Sequence, residues 1–233
     1  MSTKSQMVCD IFSEIAPQYE RFNDISSMGR YKSWLKRVAA EADKKVVHNM
    51  LDCAAGTGDV AFYIARRSRP EHILLTDFCA EMLDEAQKRY ELGESLGVSM
   101  DFEVEDATEL PYADKSFDLV TVAYGIRNFD DRKKAMSEAC RVLCDGGRYI
   151  ILEFSKPDVA PIRAFYNVYL DKAIPTLGRL LTHKQEGFDY FKDSIKAFPD
   201  QEIIKQELLD CGFSHVKYES LTFGVVSMYV AEK

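Results

Sequence analysis

Hydrophobic and polar positions follow two alternating periods along the chain, and this pattern predicts an α/β protein. In the first forty residues, apolar side chains recur at three- and four-residue steps, as in amphipathic helices. From residue 46 onward, short apolar runs alternate with helical stretches, which implies right-handed crossovers and a mostly parallel sheet. The predicted helices cover residues 8–22 (interrupted at Pro17), 31–42, 60–67, 82–90, 131–143 and 203–211. The predicted strands cover residues 46–52, 72–77, 100–106, 117–124, 148–154, 216–222 and 224–230, the last two as an antiparallel pair at the sheet edge.

The pattern also predicts one domain, residues 1–233, built from four parts. A chain of 233 residues suits one large domain or a domain with a cap. Residues 1–45 form an N-terminal helical lid and 46–155 a ligand-binding core. Residues 156–200 form an irregular helical insertion, rich in aromatic residues and broken by prolines, and 201–233 supply a last helix and the edge strands.

Composition narrows the possible partners. The chain has 30 Lys and Arg against 38 Asp and Glu, a net charge of −8, so general attraction to nucleic acid is disfavoured. The six cysteines show no paired zinc spacing, so we expect reduced thiols used as small apolar residues and no metal. No secretory signal and no apolar run of about 20 residues is found, which predicts a cytoplasmic protein.

A glycine-rich turn follows the first predicted strand and precedes a helix. Gly56 and Gly58 let the backbone turn tightly and approach a ligand closely. Asp77 ends the next strand, where a carboxylate can accept hydrogen bonds from both ribose hydroxyls of an adenosine. The spacing Gly56-x-Gly58-x-x-Ala61 also fits a dinucleotide site, and a tight turn without a ligand is a further interpretation.

Acidic residues at the strand ends favour a cationic ligand. Asp52 ends the first strand and Asp106 the third, followed by Ala107, whose amide can face an adenine edge. S-adenosylmethionine carries a sulfonium and an ammonium but no pyrophosphate, so it suits these acids better than NAD does. Thr57 places a hydroxyl in the loop, and Asp59 can cap the helix, bind water or meet the ammonium.

Motifs from about residue 8 to 230 resemble those of the ubiquinone/menaquinone biosynthesis C-methyltransferase family. The glycine loop is shared by many methyltransferases, whereas Gly125-Ile-Arg-Asn128 and Leu152-Glu-Phe-Ser155 are much more specific. The remaining motifs are Phe12-Ser-Glu-Ile-Ala-Pro-Gln-Tyr19 with Asn23-Asp24, Asp106-Ala-Thr-Glu-Leu-Pro-Tyr112, Phe117-Asp-Leu-Val120, Arg141-Val-Leu-Cys-Asp-Gly-Gly147, Tyr190-Phe191 with Ser194-Ile195, and Phe198-Pro-Asp-Gln201. Ala123, Ala55 and Met228 depart from the family pattern, which usually has serine, glycine and histidine there.

The resemblance implies a Rossmann-like class I S-adenosylmethionine-dependent methyltransferase fold, with the N-terminal and inserted helices forming a substrate cap. It implies methyl transfer to a ring carbon of a polyprenylated quinol, either demethylmenaquinol or a ubiquinone precursor. A homodimer and peripheral membrane contact are compatible with such a lipophilic substrate. The cofactor residues expected from loop, strand ends and resemblance together are Asp52, Gly56, Thr57, Gly58, Asp77, Phe78, Asp106, Ala107 and Ala123.

Five further residues are candidates for contact with the substrate. Arg127 and Asn128 follow a strand end at the ligand-bearing edge, where a guanidinium can stabilise a phenolate; a salt bridge and a turn are the structural alternative. Tyr19, Tyr124 and Tyr190 are candidate substrate-binding residues, with core packing as the alternative for Tyr19 and Tyr190. An NAD-dependent reductase and a non-catalytic S-adenosylmethionine-binding subunit are the competing functions.

Overall fold

A computed structural model describes residues 3–15, 19–174, 176 and 186–233 of the chain. In this part of the chain, one seven-stranded sheet has the order β3-β2-β1-β4-β5-β7-β6. The strands are β1 Asn49–Cys53, β2 His72–Asp77, β3 Ser99–Val104, β4 Phe117–Ala123, β5 Leu143–Phe154, β6 His215–Leu221 and β7 Val226–Glu232. The helices are α1 Thr3–Ile15, α2 Tyr19–Ser26, α3 Tyr31–Ala42, α4 Asp59–Ser68, α5 Ala80–Glu91, α6 Arg132–Val142, α7 Ala160–Val168, α8 Glu186–Ala197 and α9 Gln201–Asp210.

The sheet is parallel from β3 to β5, so the carboxyl ends of these strands meet at one edge. Strand order reverses at β1, which lies between β2 and β4, and such a reversal opens a ligand crevice. The predicted pair of C-terminal strands is present, but β7 is not at the edge. It inserts antiparallel between β5 and β6, and β6 is the edge strand.

Both faces of the sheet are covered by amphipathic helices. On one face α3, α4 and α5 contribute buried side chains such as Trp34, Phe62 and Leu83. On the other face α6 and α9 contribute Met136 and Leu208. A parallel sheet needs this double cover because its central strands are apolar on both sides, and β1, β2 and β4 show nearly continuous burial.

Some predicted boundaries differ from the structure for local reasons. The strand predicted from Val46 begins at Asn49, because Val46 is 79% exposed and lies before the paired region. The strand predicted from Arg148 extends back to Leu143, across a register shift against β4. Gly146, at φ +76°, belongs to this irregular stretch, so the predicted turn is absorbed into a distorted strand.

The predicted helical insertion consists of α7, a π-helical turn at Tyr169–Ala173 and α8. Pro161 lies in the first turn of α7, where proline is tolerated, and Pro157 precedes the helix. The interruptions expected at Pro17 and Pro175 lie outside the described residues, as do residues 177–185.

Candidate active site

The glycine loop joins β1 to α4 in a left-handed backbone conformation. Gly56 and Gly58 have φ values of +55° and +80°. A Cβ at Gly58 would lie 2.8 Å from Cε2 of Phe62 and 3.1 Å from Cδ2 of Leu75, so the loop packs too closely against α4 and β2 for any side chain. Glycine is therefore required both for backbone conformation and for space.

Asp77, at the end of β2, holds this loop. Its two carboxylate oxygens accept hydrogen bonds of 2.9 Å from the backbone N–H groups of Gly56 and Cys79. Burial raises the pKa of Asp77 to about 6, although hydrogen bonds from Cys79, Gly56 and Phe78 oppose the rise. The predicted ribose acceptor is thus also the group that fixes the loop, which sequence spacing alone did not indicate.

Asp52 lies beneath the loop and is 1% exposed. Its Oδ1 accepts a hydrogen bond from the Thr121 hydroxyl, and no hydrogen bond of ordinary geometry reaches Oδ2. Burial raises the pKa of Asp52 to about 7, and the nearby Asp77 and Asp59 add to the rise. Two buried carboxylates without a cationic partner therefore lie next to the loop, a setting that favours a positively charged ligand.

Asp59 has partners within the protein. Its Oδ1 accepts a 2.7 Å hydrogen bond from Arg89 Nη1, and its Oδ2 accepts one of 2.8 Å from the Tyr31 hydroxyl. It is the first residue of α4, and Gly58 is the N-cap. Asp59 therefore ties the start of α4 to α5 and α3. Its roles toward water and the ligand ammonium stay predictions.

A cleft opens between the loop, the end of β2 and the segment after β4. Eight of the predicted residues line it: Gly56, Asp77, Phe78, Asp106, Ala107, Ala123, Tyr124 and Asn128. Asp52, Thr57 and Gly58 do not line it: Asp52 and Thr57 are buried, and Gly58 packs against α4 and β2. Sequence reasoning missed Val8 of α1 and Met82 of α5, which also line the cleft and close it from the lid side.

Asn128 lines both halves of this cleft and is only 8% exposed. Its Oδ1 accepts a 3.1 Å hydrogen bond from the Tyr190 hydroxyl of α8. The two predicted residues are therefore brought together, with Tyr190 contacting the cleft through Asn128. Tyr19 begins α2, but its side chain lies outside the described part of the structure.

A second cavity of about 230 Å³ lies beside the cleft, enclosed by α2, α3, α7 and α8. Its lining is mostly apolar and includes Trp34, Ile162 and Phe191. The Tyr124 ring separates the two spaces: it lines the cleft, and it packs 5.8 Å and 4.7 Å, centroid to centroid, from Tyr31 and Phe154, which line the cavity. The sequence predicted a cap from the N-terminal and inserted helices but not the residues that line this cavity, because β5 and residues 222–225 also contribute to it.

The structure corrects the placement of Arg127. Its side chain is only 2% exposed, and Nη1 lies 2.8 Å from Oε1 of the fully buried Glu153. The guanidinium also donates to the Tyr124 carbonyl oxygen and lies over the Phe154 and Phe191 rings, 5.5 Å and 5.3 Å from their centroids. The expected free cation at the mouth is instead a buried ion pair behind Tyr124. Glu153 was missed, although it lies in the Leu152-Glu-Phe-Ser155 motif at the end of the neighbouring strand.

Comparison with known proteins identifies the family. The model of the ubiE/COQ5 methyltransferase family matches residues 1–233. The chain belongs to the ubiE/COQ5 methyltransferase family. The resemblance and the fold class predicted from the sequence are therefore confirmed.

Relatives and solved structures agree with this family. The chain is 37% identical over 230 residues to a demethylmenaquinone methyltransferase of Bacteroides fragilis, covering 99% of this chain and 94% of that protein. It is 34% identical over 231 residues to a ubiquinone/menaquinone biosynthesis C-methyltransferase of Francisella tularensis subsp. novicida, covering 99% and 92%. A solved S-adenosylmethionine-dependent methyltransferase of Thermotoga maritima, 20% identical, superposes with a TM-score of 0.67 over 97% of this chain and 99% of that one, and supports the fold alone.

Proposed function

We propose that this member of the ubiE/COQ5 methyltransferase family methylates a ring carbon of a polyprenylated quinol, with S-adenosylmethionine as the methyl donor. The proposal rests on one arrangement: a cleft beside two buried carboxylates that adjoins an apolar cavity across the Tyr124 ring. The carboxylates suit a cationic donor, and the cavity suits a lipophilic acceptor. The relatives' names, which refer to menaquinone and ubiquinone biosynthesis, support this substrate class.

The cleft residues would hold the donor through complementary charge and shape. Asp77 would accept the ribose hydroxyls, with Phe78 beside it, and Asp106 and Ala107 would meet the adenine edge. Asp52 would act from beneath the loop as a countercharge to the ammonium and sulfonium. Gly56 and Ala123 would form part of the wall, and Thr57 and Gly58 would support it from within the loop.

The donor, when bound, supplies an already activated methyl group, so the protein's task is to align the ring and exclude water. Tyr124 lies between the two spaces and would position the ring, and Asn128 would contact it at the cleft. Tyr19 and Tyr190 would complete the cap, with Tyr190 holding Asn128. Arg127 is a positioning residue in this proposal, because its guanidinium holds the Tyr124 carbonyl through a buried ion pair.

We further propose that residues 1–45 and 156–200 act together as the substrate cap of a single domain. The Tyr169 hydroxyl donates to the Ser26 carbonyl oxygen, and this bond joins the insertion to α2. Trp34 of α3 donates a 2.8 Å hydrogen bond to the Thr222 hydroxyl, which closes the cavity from another side.

Analysis of quinones from cells lacking this protein tests the function. We expect a species about 14 mass units lighter than the normal quinone to accumulate, since methylation adds one methylene. The ring system of that species would separate a menaquinone from a ubiquinone precursor. An unchanged quinone pool, or stabilisation of the protein by NADH and not by S-adenosylhomocysteine, would contradict the proposal. Binding of S-adenosylhomocysteine without any methylated product from a quinol would instead indicate a non-catalytic subunit.

We also propose that the cavity opens toward a membrane surface. Met28, Phe165 and Phe223 line the cavity yet are 70%, 69% and 77% exposed, so they form the rim of its open side. Within the described residues, no helix is long and apolar enough to cross a bilayer, so contact through this rim would be peripheral. The cationic side chains of α3 are less suited to this contact, because Arg37 pairs with Glu219 and Lys32 with Asp24.

Vesicle sedimentation tests this contact. Changing Met28, Phe165 and Phe223 together to serine should abolish co-sedimentation with phospholipid vesicles, while changing the exposed Leu92 to serine should not. The alternative occupant of the rim is a second copy of the chain. A concentration-dependent dimer that the triple variant disrupts, together with no vesicle binding, would contradict the membrane contact and indicate a homodimer.

A further inference from the structure

The apolar cavity contains two polar groups that have no hydrogen-bond partner. Asn23 of α2 and Tyr166 of α7 both line the cavity and are 9% and 7% exposed. The Asn23 side-chain nitrogen and the Tyr166 hydroxyl are fully buried, and neither makes a hydrogen bond within the described part of the chain. An unpaired buried polar group destabilises the folded protein, so two of them facing one cavity are unusual without a ligand.

The two groups lie near each other because of the contact between α2 and the insertion. The Tyr169 hydroxyl bonds to the Ser26 carbonyl oxygen. Asn23 precedes Ser26 by one helical turn, and Tyr166 likewise precedes Tyr169 by about one turn. Both unpaired groups are therefore within about one turn of the same tie, on the walls of the same cavity.

The Asn23 side-chain nitrogen and the Tyr166 hydroxyl are both suited to a ligand that carries oxygen atoms. The Asn23 nitrogen can only donate a hydrogen bond, so it requires an acceptor such as a ring oxygen. The Tyr166 hydroxyl can donate or accept, so it can pair with a phenolic O–H. The rest of the lining offers apolar and aromatic surface, including Phe154 and Phe191, which fits a flat ring.

We propose that Asn23 and Tyr166 bind the two ring oxygens of an aromatic diol and thereby fix which ring edge faces the cleft. This inference rests on the proposed function, since it assigns the ring-binding subsite for the same quinol. The Asn23 nitrogen donates to one ring oxygen and favours its ionised form, because a hydrogen bond to a phenolate stabilises the charge. The Tyr166 hydroxyl holds the other oxygen, and the prenyl chain leaves past the exposed rim.

Neighbouring side chains in the same cavity do not offer the same chemistry. The Tyr169 hydroxyl already donates to Ser26, and the Trp34 indole nitrogen to Thr222. Tyr218 of β6 provides a control for Tyr166 away from this contact: its hydroxyl donates to Glu202, and it does not line the cavity.

The first test compares stability and binding in two phenylalanine variants. Tyr166→Phe removes a buried hydroxyl without a partner, so the ligand-free protein should unfold at an equal or higher temperature than the wild type. Tyr218→Phe removes a hydrogen-bonded hydroxyl and should not raise the unfolding temperature. Tyr166→Phe should nevertheless bind a soluble, short-chain 1,4-naphthohydroquinone about tenfold more weakly, whereas Tyr218→Phe should retain its affinity.

The second test measures recognition of the ring oxygens directly. Calorimetry without methyl donor compares this diol with the same prenylated naphthalene lacking both oxygens. The wild type should favour the diol, and Tyr166→Phe and Asn23→Leu should each reduce that preference about tenfold. Unchanged preference in both variants, in protein that melts like the wild type, would overturn the subsite. A preserved diol preference with no methylation of any quinol would leave the subsite standing and contradict the proposed function instead.

Discussion

Asp52 and Asp77 are buried acids without an ion-pair partner in the described structure, and their charge state matters near neutral pH. Their pKa values are raised by burial to about 7 and about 6. A cationic ligand would favour the ionised forms and so bind with release of protons. Affinity for the methyl donor should therefore fall as the pH decreases from 8 to 5, because more of the free protein carries protonated acids.

The raised pKa of Asp52 also predicts an unusual pH dependence of stability. Between pH 4 and about 7 the folded chain binds this proton more tightly than the unfolded chain, so stability decreases as the pH rises, by up to about 1.4 kcal/mol per pH unit. Asp52→Asn removes that loss. The free energy of unfolding of Asp52→Asn relative to the wild type should increase from pH 4 to 7 and then level off, as measured by urea titration.

Asp118 provides a control for which the pH dependence of stability should have the opposite sign. Burial opposes its ionisation, but hydrogen bonds from the backbone N–H groups of Asn49 and His48 outweigh this effect and lower its pKa. Asp118→Asn should therefore become less stable relative to the wild type as the pH rises from acid toward neutral. The same trend in both variants would contradict the assignment for Asp52.

Asp77→Ala should weaken binding of S-adenosylmethionine by at least tenfold. It removes the charged acceptor proposed for the ribose hydroxyls, and hydrogen bonds to charged groups contribute roughly 1.5–3 kcal/mol each. It also removes the bonds to Gly56 and Cys79 that hold the loop. Calorimetry would measure the loss, with the exposed Asp84→Ala on α5 as the control, and unchanged affinity in folded Asp77→Ala would exclude both roles.

At the scale of elements, the segment after β4 is joined to β5 by the pair of Arg127 and Glu153. Burial raises the pKa of Glu153 even though Arg127 opposes the rise, so removing the guanidinium would leave a costly buried acid. Arg127→Ala should destabilise the protein by about 3–5 kcal/mol, and the double variant Arg127→Met/Glu153→Leu should recover most of that loss. Denaturant unfolding would measure both.

The catalytic alternative for Arg127 makes a different prediction. If the guanidinium stabilised a phenolate directly, Arg127→Ala would lower turnover while stability and donor affinity stayed unchanged. The double variant would then remain inactive despite normal stability. Recovery of turnover together with stability would support the positioning role.

Hydrophobic periodicity predicted most helices and strands, because it shows within a short stretch of sequence which face of the segment is buried. Helix α3 and strand β2 have the predicted bounds, since each has a regular apolar face. The position of β7 between β5 and β6 could not be predicted, because strand order depends on how the whole chain packs. The pair of Arg127 and Glu153 was missed for the same reason: each residue was visible in a motif, but their contact joins the segment after β4 to strand β5.

In the candidate site too, some features could be predicted from local sequence, whereas others depend on contacts between distant segments. The residues that line the cleft follow strand ends, and those ends are fixed by the parallel topology. The apolar cavity arises from α2, α3, α7 and α8, whose sequences only indicate amphipathic helices. The binding role proposed for Asn23 and Tyr166 depends on the packing of these helices, which the local sequence does not specify.

At the scale of the whole molecule, the cap and the core together imply a requirement for a reduced substrate. A quinone ring is electron-poor, because its carbonyl groups withdraw density from the carbon that must attack the methyl group. A hydroquinone donates density to that carbon, and its phenolate donates far more. In the proposed reaction the methyl donor occupies the cleft beside the glycine loop, so we expect the ring to arrive already reduced.

Assays with a soluble short-chain quinone analogue should therefore give methylated product when dithionite or borohydride is present and essentially none under oxidising conditions. Because a hydrogen bond from Asn23 favours the phenolate, the rate should rise with pH up to the pKa of the bound hydroxyl, below that of the free analogue. Asn23→Leu should move this pH midpoint upward toward the free value while leaving the requirement for reductant intact. Equal rates with oxidised and reduced analogue would rule out a nucleophilic ring carbon, and with it the reason for placing a hydrogen-bond donor beside the ring oxygen.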